Sequence, residues 1–99
     1  MKYGLSEDIL SLIIKEIKTN LGDTQEPILY LYGSRAKGSH REFSDIDLLL
    51  KAQRFDDKSL DVIDFDKLDI PYKIDFVLDK NLFEAYREEI EDHMIEVNL

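Results

Sequence analysis

Gly33-Ser34-Arg35-Ala36-Lys37-Gly38 is followed, six residues after Gly38, by Ser44-Asp45-Ile46-Asp47-Leu48-Leu49-Leu50. A Gly-Ser turn from a strand into a helix presents several backbone N–H groups together. The helix dipole adds positive potential there, so phosphate oxygens are favoured. Gly33 permits close approach of the backbone and Ser34 can supply a hydroxyl. Lys37 and Arg41 are the nearest cations to offset polyphosphate charge, and an arginine can grip bidentately. Asp45 and Asp47 are one residue apart, so on an extended backbone both carboxylates project to the same side. Like charges that close cost energy unless a cation sits between them. Magnesium suits the pair, because it takes carboxylate and phosphate oxygens and keeps several waters. Two such ions, about 3.5–4 Å apart, can activate an attacking hydroxyl and stabilise a leaving pyrophosphate. Asp75, flanked by Ile74 and Phe76, adds a third carboxylate and a candidate general base for an acceptor hydroxyl.

Each feature has a plainer explanation when taken alone. Gly-Ser is an ordinary turn, and Asp-x-Asp is a solvated strand end. Their combination with Asp75 is what points to chemistry. A calcium loop is excluded, because no third oxygen ligand and no glycine stand at the required positions. A phosphate loop of the Walker type is excluded too: Gly33 and Gly38 have its spacing, but Ser39 stands where lysine is needed. His40 reads as a lone surface histidine and His93 as a surface or capping residue. Asp56, Asp57, Asp61, Asp64, Asp66 and Asp69 form no ligand pattern and read as a solvated face. Tyr30 and Tyr32 alternate on one strand as packing groups, one of which could stack on a nucleobase.

The elements that must position these groups follow from periodicity. Ile9, Leu10, Ile13, Ile14, Ile17 and Leu21 recur at helical spacing over residues 6–21, with Ser6 as N-cap, Glu7 and Asp8 on the positive end of the dipole and Gly22 as terminator. Ile28–Tyr32, between Pro27 and Gly33, is a strand covered on both faces. Ser34–Lys37 forms a short helix or turn, and residues 38–43 a loop. Residues 45–52 form a second strand, with Asp47 and Leu49 on one face and Ile46, Leu48 and Leu50 on the other. Residues 55–69 hold at most a short helix lined by Leu60, Ile63 and Leu68. Residues 72–78 form a third strand with Lys73, Asp75 and Val77 on one face. Leu82, Phe83, Tyr86, Ile90 and Met94 make a helical stripe running to the C-terminus. The expected fold is α+β: a small mixed sheet that buries its Ile/Leu/Phe face against the two long helices and leaves the aspartate face to solvent and ligand.

The 99 residues are expected to form a single domain, 1–99, with a modest core. Thirteen basic against 22 acidic residues give a net charge of −9, which repels duplex phosphate and argues against direct nucleic-acid binding. A basic protein partner suits that surface better. The chain has no cysteine, so disulfides, thiolate catalysis and Cys-bound zinc are excluded. No apolar run approaches a membrane span, and residues 1–20 lack a basic region followed by an apolar stretch and cleavage site, so no export is expected. The expected location is the cytoplasm, away from any membrane.

Gly33-Ser34-Arg35-Ala36-Lys37-Gly38, Arg41, Ser44-Asp45-Ile46-Asp47-Leu48 and Ile74-Asp75-Phe76-Val77, with the lead-in Ile70-Pro71-Tyr72-Lys73, resemble the minimal nucleotidyltransferases of the DNA polymerase β-like superfamily. Members of that family are often the antitoxin of a pair with a HEPN-domain toxin. The resemblance implies a polymerase β-like core, ATP as substrate and magnesium, with two ions expected. It implies transfer of AMP to a tyrosine hydroxyl of the partner toxin with release of pyrophosphate. Carried over, Asp45, Asp47 and Asp75 are the catalytic metal ligands, and Gly33, Ser34, Lys37, Arg41 and Ser44 contact the nucleotide. Lys37 departs from the family's usual arginine, keeping the charge without the fork. Two alternatives remain at this stage. One is transfer to a small-molecule hydroxyl, although the helical substrate domain usual in such enzymes is missing from the chain. The other is a non-catalytic module that silences a toxin by contact.

Overall fold

The computed structural model describes residues 2–21, 27–52 and 63–99. The first helix, α1 (Glu7–Asn20), starts where Ser6 Oγ accepts the Ile9 N–H at 3.3 Å, and Glu7 and Asp8 occupy its first turn. Leu21 closes it with an N–H to the Ile17 carbonyl; the expected terminator, Gly22, lies outside the described residues. Then come β1 (Ile28–Tyr32), the single turn α2 (Ser34–Lys37), β2 (Ile46–Lys51), β3 (Ile74–Leu78), α3 (Glu84–His93) and β4 (Ile95–Val97), with 3-10 turns at Phe65–Lys67 and Asp79–Asn81. Of the expected short helix near residues 55–69, positions 53–62 lie outside the described residues. No helix among the described residues is long and apolar enough to cross a membrane.

The four strands form one mixed sheet in the order β3-β2-β1-β4. β1 pairs antiparallel with both β2 and β4, and β2 pairs parallel with β3. Leu29 and Leu31 of β1, Ile46, Leu48 and Leu50 of β2 and Leu78 of β3 pack with Leu5, Ile13, Ile17 and Leu21 in one buried cluster. Burying each such side chain stabilises the fold by roughly 1.5–3 kcal/mol. α1 therefore covers one face of the sheet, as its periodicity requires.

The other face is not left to solvent along its whole length. Leu49 shares Asp47's side of β2 by alternation, yet it is only 1% exposed. Ile90 of α3 is also buried but stands outside the α1-side cluster. The expectation that both long helices back one face is corrected: Ile90 is buried apart from the α1-side cluster, and α3 belongs to the aspartate side of the sheet. Topology supplies the reason. β3 and β4 are the two edges of the sheet and run parallel, so the chain between them must cross a face, and α1 already fills the other one.

A second correction concerns the C-terminus. The stripe does not continue as helix through Met94; that residue turns extended (φ −65°, ψ 147°), and Ile95 pairs with Leu31 and Val97 with Leu29. Two β-branched residues in alternation suit a strand, and β4 satisfies backbone groups along β1 that would otherwise form an edge. The other strand boundaries are shorter than expected. β2 begins at Ile46 rather than Asp45, and β3 at Ile74 rather than Tyr72.

Because Leu49 is covered on the aspartate face, Leu49→Ala is expected to cost about 2–5 kcal/mol in urea denaturation, as for a core leucine. A change within about 0.5 kcal/mol, the value for a surface position, would return that face to solvent.

Candidate active site

The parallel register of β2 and β3 pairs Asp47 directly with Asp75. Directly paired residues project to the same face from strands about 4.8 Å apart, so the two carboxylates stand side by side. On the other side of β2, Tyr32 is the antiparallel partner of Asp47. Tyr32, Asp47 and Asp75 therefore form one row across three strands. Asp45 stands exposed just before β2 begins.

The electrostatics of this row record crowded negative charge. Burial, then Asp75, then Asp45 push the Asp47 carboxyl up to about 6, against a smaller opposing pull from Arg35. Burial, then Asp75 and Asp47, push the Tyr32 phenol up to about 12. The three acids thus act on one small volume, and a divalent cation would relieve their repulsion. Among the described residues no three His, Cys, Asp or Glu side chains already converge into a metal cage. The donor set still fits magnesium, which draws on few carboxylates and completes its shell with water and substrate phosphate.

Gly33 links this row to the phosphate turn. It sits at φ 75°, ψ −156°, a region essentially restricted to glycine. A side chain there would collide with Oδ2 of Asp47. The glycine is thus required by the carboxylate behind it as well as by any phosphate in front. Its carbonyl accepts the Lys37 N–H at 3.1 Å. Its N–H is donated to Nε2 of His93 at 2.9 Å, so this amide is not free to meet a phosphate as expected. His93 is corrected accordingly: it is neither a surface group nor a cap but the tie between the end of α3 and the turn. The half-buried Ser34 opens α2, and Gly38, in the left-handed conformation, closes it with an N–H to the Ser34 carbonyl.

Arg35 holds the loop in place. Its side chain is buried, with the residue only 2% exposed. Nη1 donates to the Tyr3 carbonyl at 2.9 Å, Nη2 to those of Ser44 at 2.9 Å and Glu42 at 3.3 Å, and Nε to Ser44 at 3.2 Å. Its guanidinium also lies 4.7 Å from the centre of the Tyr72 ring, which adds cation–π attraction. Arg35 thereby joins the N-terminal segment, the loop before β2 and the approach to β3. Sequence pattern does not single it out, because a one-turn helix has too few residues to show which side faces inward.

The remaining candidates are peripheral to the row. Lys37 is exposed and paired with Glu89 of α3 at 3.1 Å. Arg41 is exposed, and its N–H donates to Ser44 Oγ at 2.7 Å, so Ser44 shapes the loop with both its hydroxyl and its carbonyl. His40 is corrected from a lone surface group: it is half-buried against Gly4, and its buried Nδ1 has no partner among the described residues. Tyr30 packs under Lys51, whose Nζ lies 5.5 Å from the ring centre.

Two measurements test this geometry. Lysine cannot reproduce the fork of Arg35, so Arg35→Lys is expected to lose about 2–4 kcal/mol of stability, whereas Lys37→Ala and Arg41→Ala stay within about 1 kcal/mol. The raised Asp47 carboxyl gives a pH dependence of definite sign. Folded Asp47 keeps its proton up to about 6, whereas the unfolded chain loses it near 3.8. The native state therefore binds more protons between these values, and metal-free stability falls as pH rises through that window. Asp47→Asn should flatten this slope and raise Tm at neutral pH by roughly 5 °C, the effect of about 1 kcal/mol after allowance for partial exposure. An unchanged slope in that variant would remove Asp47 as its source.

Residues 15–97 match the family described as Polymerase beta, Nucleotidyltransferase. No curated protein is matched by the sequence. Among solved structures, a toxin-antitoxin crystal structure with AMP-PNP superposes with a TM-score of 0.66 at 20% identity, covering 87% of this chain and 69% of that one. A Sulfolobus solfataricus structure assigned as a nucleotidyltransferase superposes with a TM-score of 0.55 at 15% identity, covering 90% and 76%. At these identities the likeness establishes the fold, a small mixed sheet with helices of the polymerase β-like kind. The family match spans all four strands, the Gly33-Ser34 turn and the three aspartates, and the chain belongs to the Polymerase beta nucleotidyltransferase family.

Proposed function

We propose that residues 1–99 act as one minimal nucleotidyltransferase domain, transferring AMP from ATP to a tyrosine hydroxyl of a HEPN-type toxin and so serving as its antitoxin. The observation that carries the chemistry is the in-register pair Asp47–Asp75, with Asp45 beside it, facing the Gly33-Ser34 turn. Asp45, Asp47 and Asp75 would hold magnesium, which when bound neutralises developing charge on the phosphates and acidifies the attacking hydroxyl. The Ser34 hydroxyl and the amides of Ser34, Arg35 and Ala36, which as the first of the helix have no carbonyl partner within it, would orient the phosphates. Asp75, exposed and unencumbered by strand burial, would take the proton of the acceptor hydroxyl. The acceptor oxygen then bonds to the α-phosphorus, the bond from the α-phosphorus to its bridging oxygen breaks, and pyrophosphate leaves.

A protein acceptor is supported by charge and surface. The chain carries a net charge of −9. On α3, Tyr86 is 58% exposed, and it stacks edge-on with Phe83, 76% exposed, at 6.4 Å. Glu84, Glu88, Glu89, Glu91 and Asp92 are exposed along the same helix, whose arginine, Arg87, is bonded to Asp79 and Glu84. An aromatic pair with an acidic rim suits a basic polypeptide. The similar toxin-antitoxin structure with AMP-PNP supports a toxin as that polypeptide and an adenine nucleotide as donor.

With α-labelled ATP, magnesium and the protein encoded by the adjacent gene, label is expected on a tyrosine of that partner. Asp45→Asn, Asp47→Asn and Asp75→Asn should each lower transfer by about 100–1000-fold. Equal labelling by the Asn variants would overturn the mechanism. Labelling of a small alcohol by this chain alone would move the acceptor class, and full protection from the toxin by the triple variant would replace catalysis with contact.

A further inference from the structure

We propose that His93 is a positioning residue for the candidate active site: through its bond to Gly33 it fixes the wall against which the Asp47 carboxylate is set. Nε2 accepts the Gly33 N–H at 2.9 Å across sixty residues of chain. Accepting there requires the neutral ring with its proton on Nδ1.

The position of His93 is set from both sides. It is the last residue of α3, and Met94 after it closes the helix with an N–H to the Ile90 carbonyl at 2.8 Å. Two residues further on, Ile95 is paired with Leu31, itself two residues before Gly33. The imidazole is thus delivered to the turn by a sheet register rather than by a flexible arm. On the α2 side, the Gly33 carbonyl is held by the Lys37 N–H. With both its peptide groups held, Gly33 keeps the backbone conformation that only glycine adopts comfortably, and its Cα faces Asp47 with no room for a methyl group. Release of the N–H would leave a partly buried donor unpaired and free the turn to rotate away from the carboxylate. The second tie between α3 and α2, Lys37 to Glu89, joins two exposed side chains and is a weak substitute.

This role depends on the site binding a metal–nucleotide as proposed above, and the test separates the two. Binding of AMP-PNP is followed by calorimetry across a magnesium titration for the parent, His93→Ala, His93→Phe and His93→Gln. The glutamine amide oxygen can replace Nε2 as acceptor, whereas phenylalanine keeps the bulk without an acceptor. His93→Ala and His93→Phe are expected to bind about tenfold more weakly, the lower end for groups that orient metal ligands, with the half-saturating magnesium concentration raised. His93→Gln should stay within about twofold of the parent. If His93→Ala does not fold, the comparison of Phe with Gln carries the same decision. Equal affinity in the Phe and Gln variants, or a loss in both, overturns positioning by hydrogen bond. No binding by the folded parent overturns the nucleotide site itself and with it this role.

Discussion

The repulsion concentrated on Asp47 organises this end of the molecule. Its strand partner is another aspartate, a third lies two residues earlier, and a tyrosine flanks it on the opposite strand. Partial burial sharpens the conflict, because a low-dielectric setting strengthens repulsion and penalises the charged form at once. A fold selected for stability alone would not place Asp47 and Asp75 in register on a face that also buries Leu49. The arrangement is understandable if a cation and a polyphosphate complete it, and then strain in the free protein becomes affinity in the complex.

The neighbouring structure keeps that conflict in a defined place. Gly33 has to be glycine because Asp47 occupies the space of a side chain, and its backbone is pinned by His93 on one side and Lys37 on the other. Arg35 does the corresponding work for the loop before β2, joining three carbonyls from two segments while moderating the charge on Asp47. The basic residues of the motif therefore divide by burial. Arg35 is buried structure, while Lys37 and Arg41 are exposed.

Much of this was legible in the sequence. The α1 stripe and the alternation in β2 declared themselves because burial on a regular element leaves a period, and the run Ile28–Tyr32 because an unbroken apolar stretch is bounded by Pro27 and Gly33. The three aspartates drew attention as candidates because Asp45 and Asp47 alternate to one side and Asp75 interrupts an apolar strand. What stayed hidden depends on contacts distant along the chain. The register that sets Asp47 opposite Asp75, and Tyr32 beside them, is a property of pairing that no single strand encodes. His93 looked unremarkable because its partner is a backbone amide sixty residues away. The crossing of α3 over the aspartate face followed only once β3 and β4 were known to be opposite, parallel edges, and β4 itself was masked by a helical stripe that reads as running on to the C-terminus.

Asp45, Asp47 and Asp75 together with the Gly33-Ser34 turn are proposed to form one metal–nucleotide site. Paramagnetic broadening of backbone amide signals by manganese, with AMP-PNP present and then absent, tests it most directly. Selective broadening is expected at Ser34, Asp45, Asp47 and Asp75, strengthened by the nucleotide, with the acids of α3 little affected. Broadening spread over the α3 acids, or broadening at the row that is indifferent to nucleotide, would contradict it.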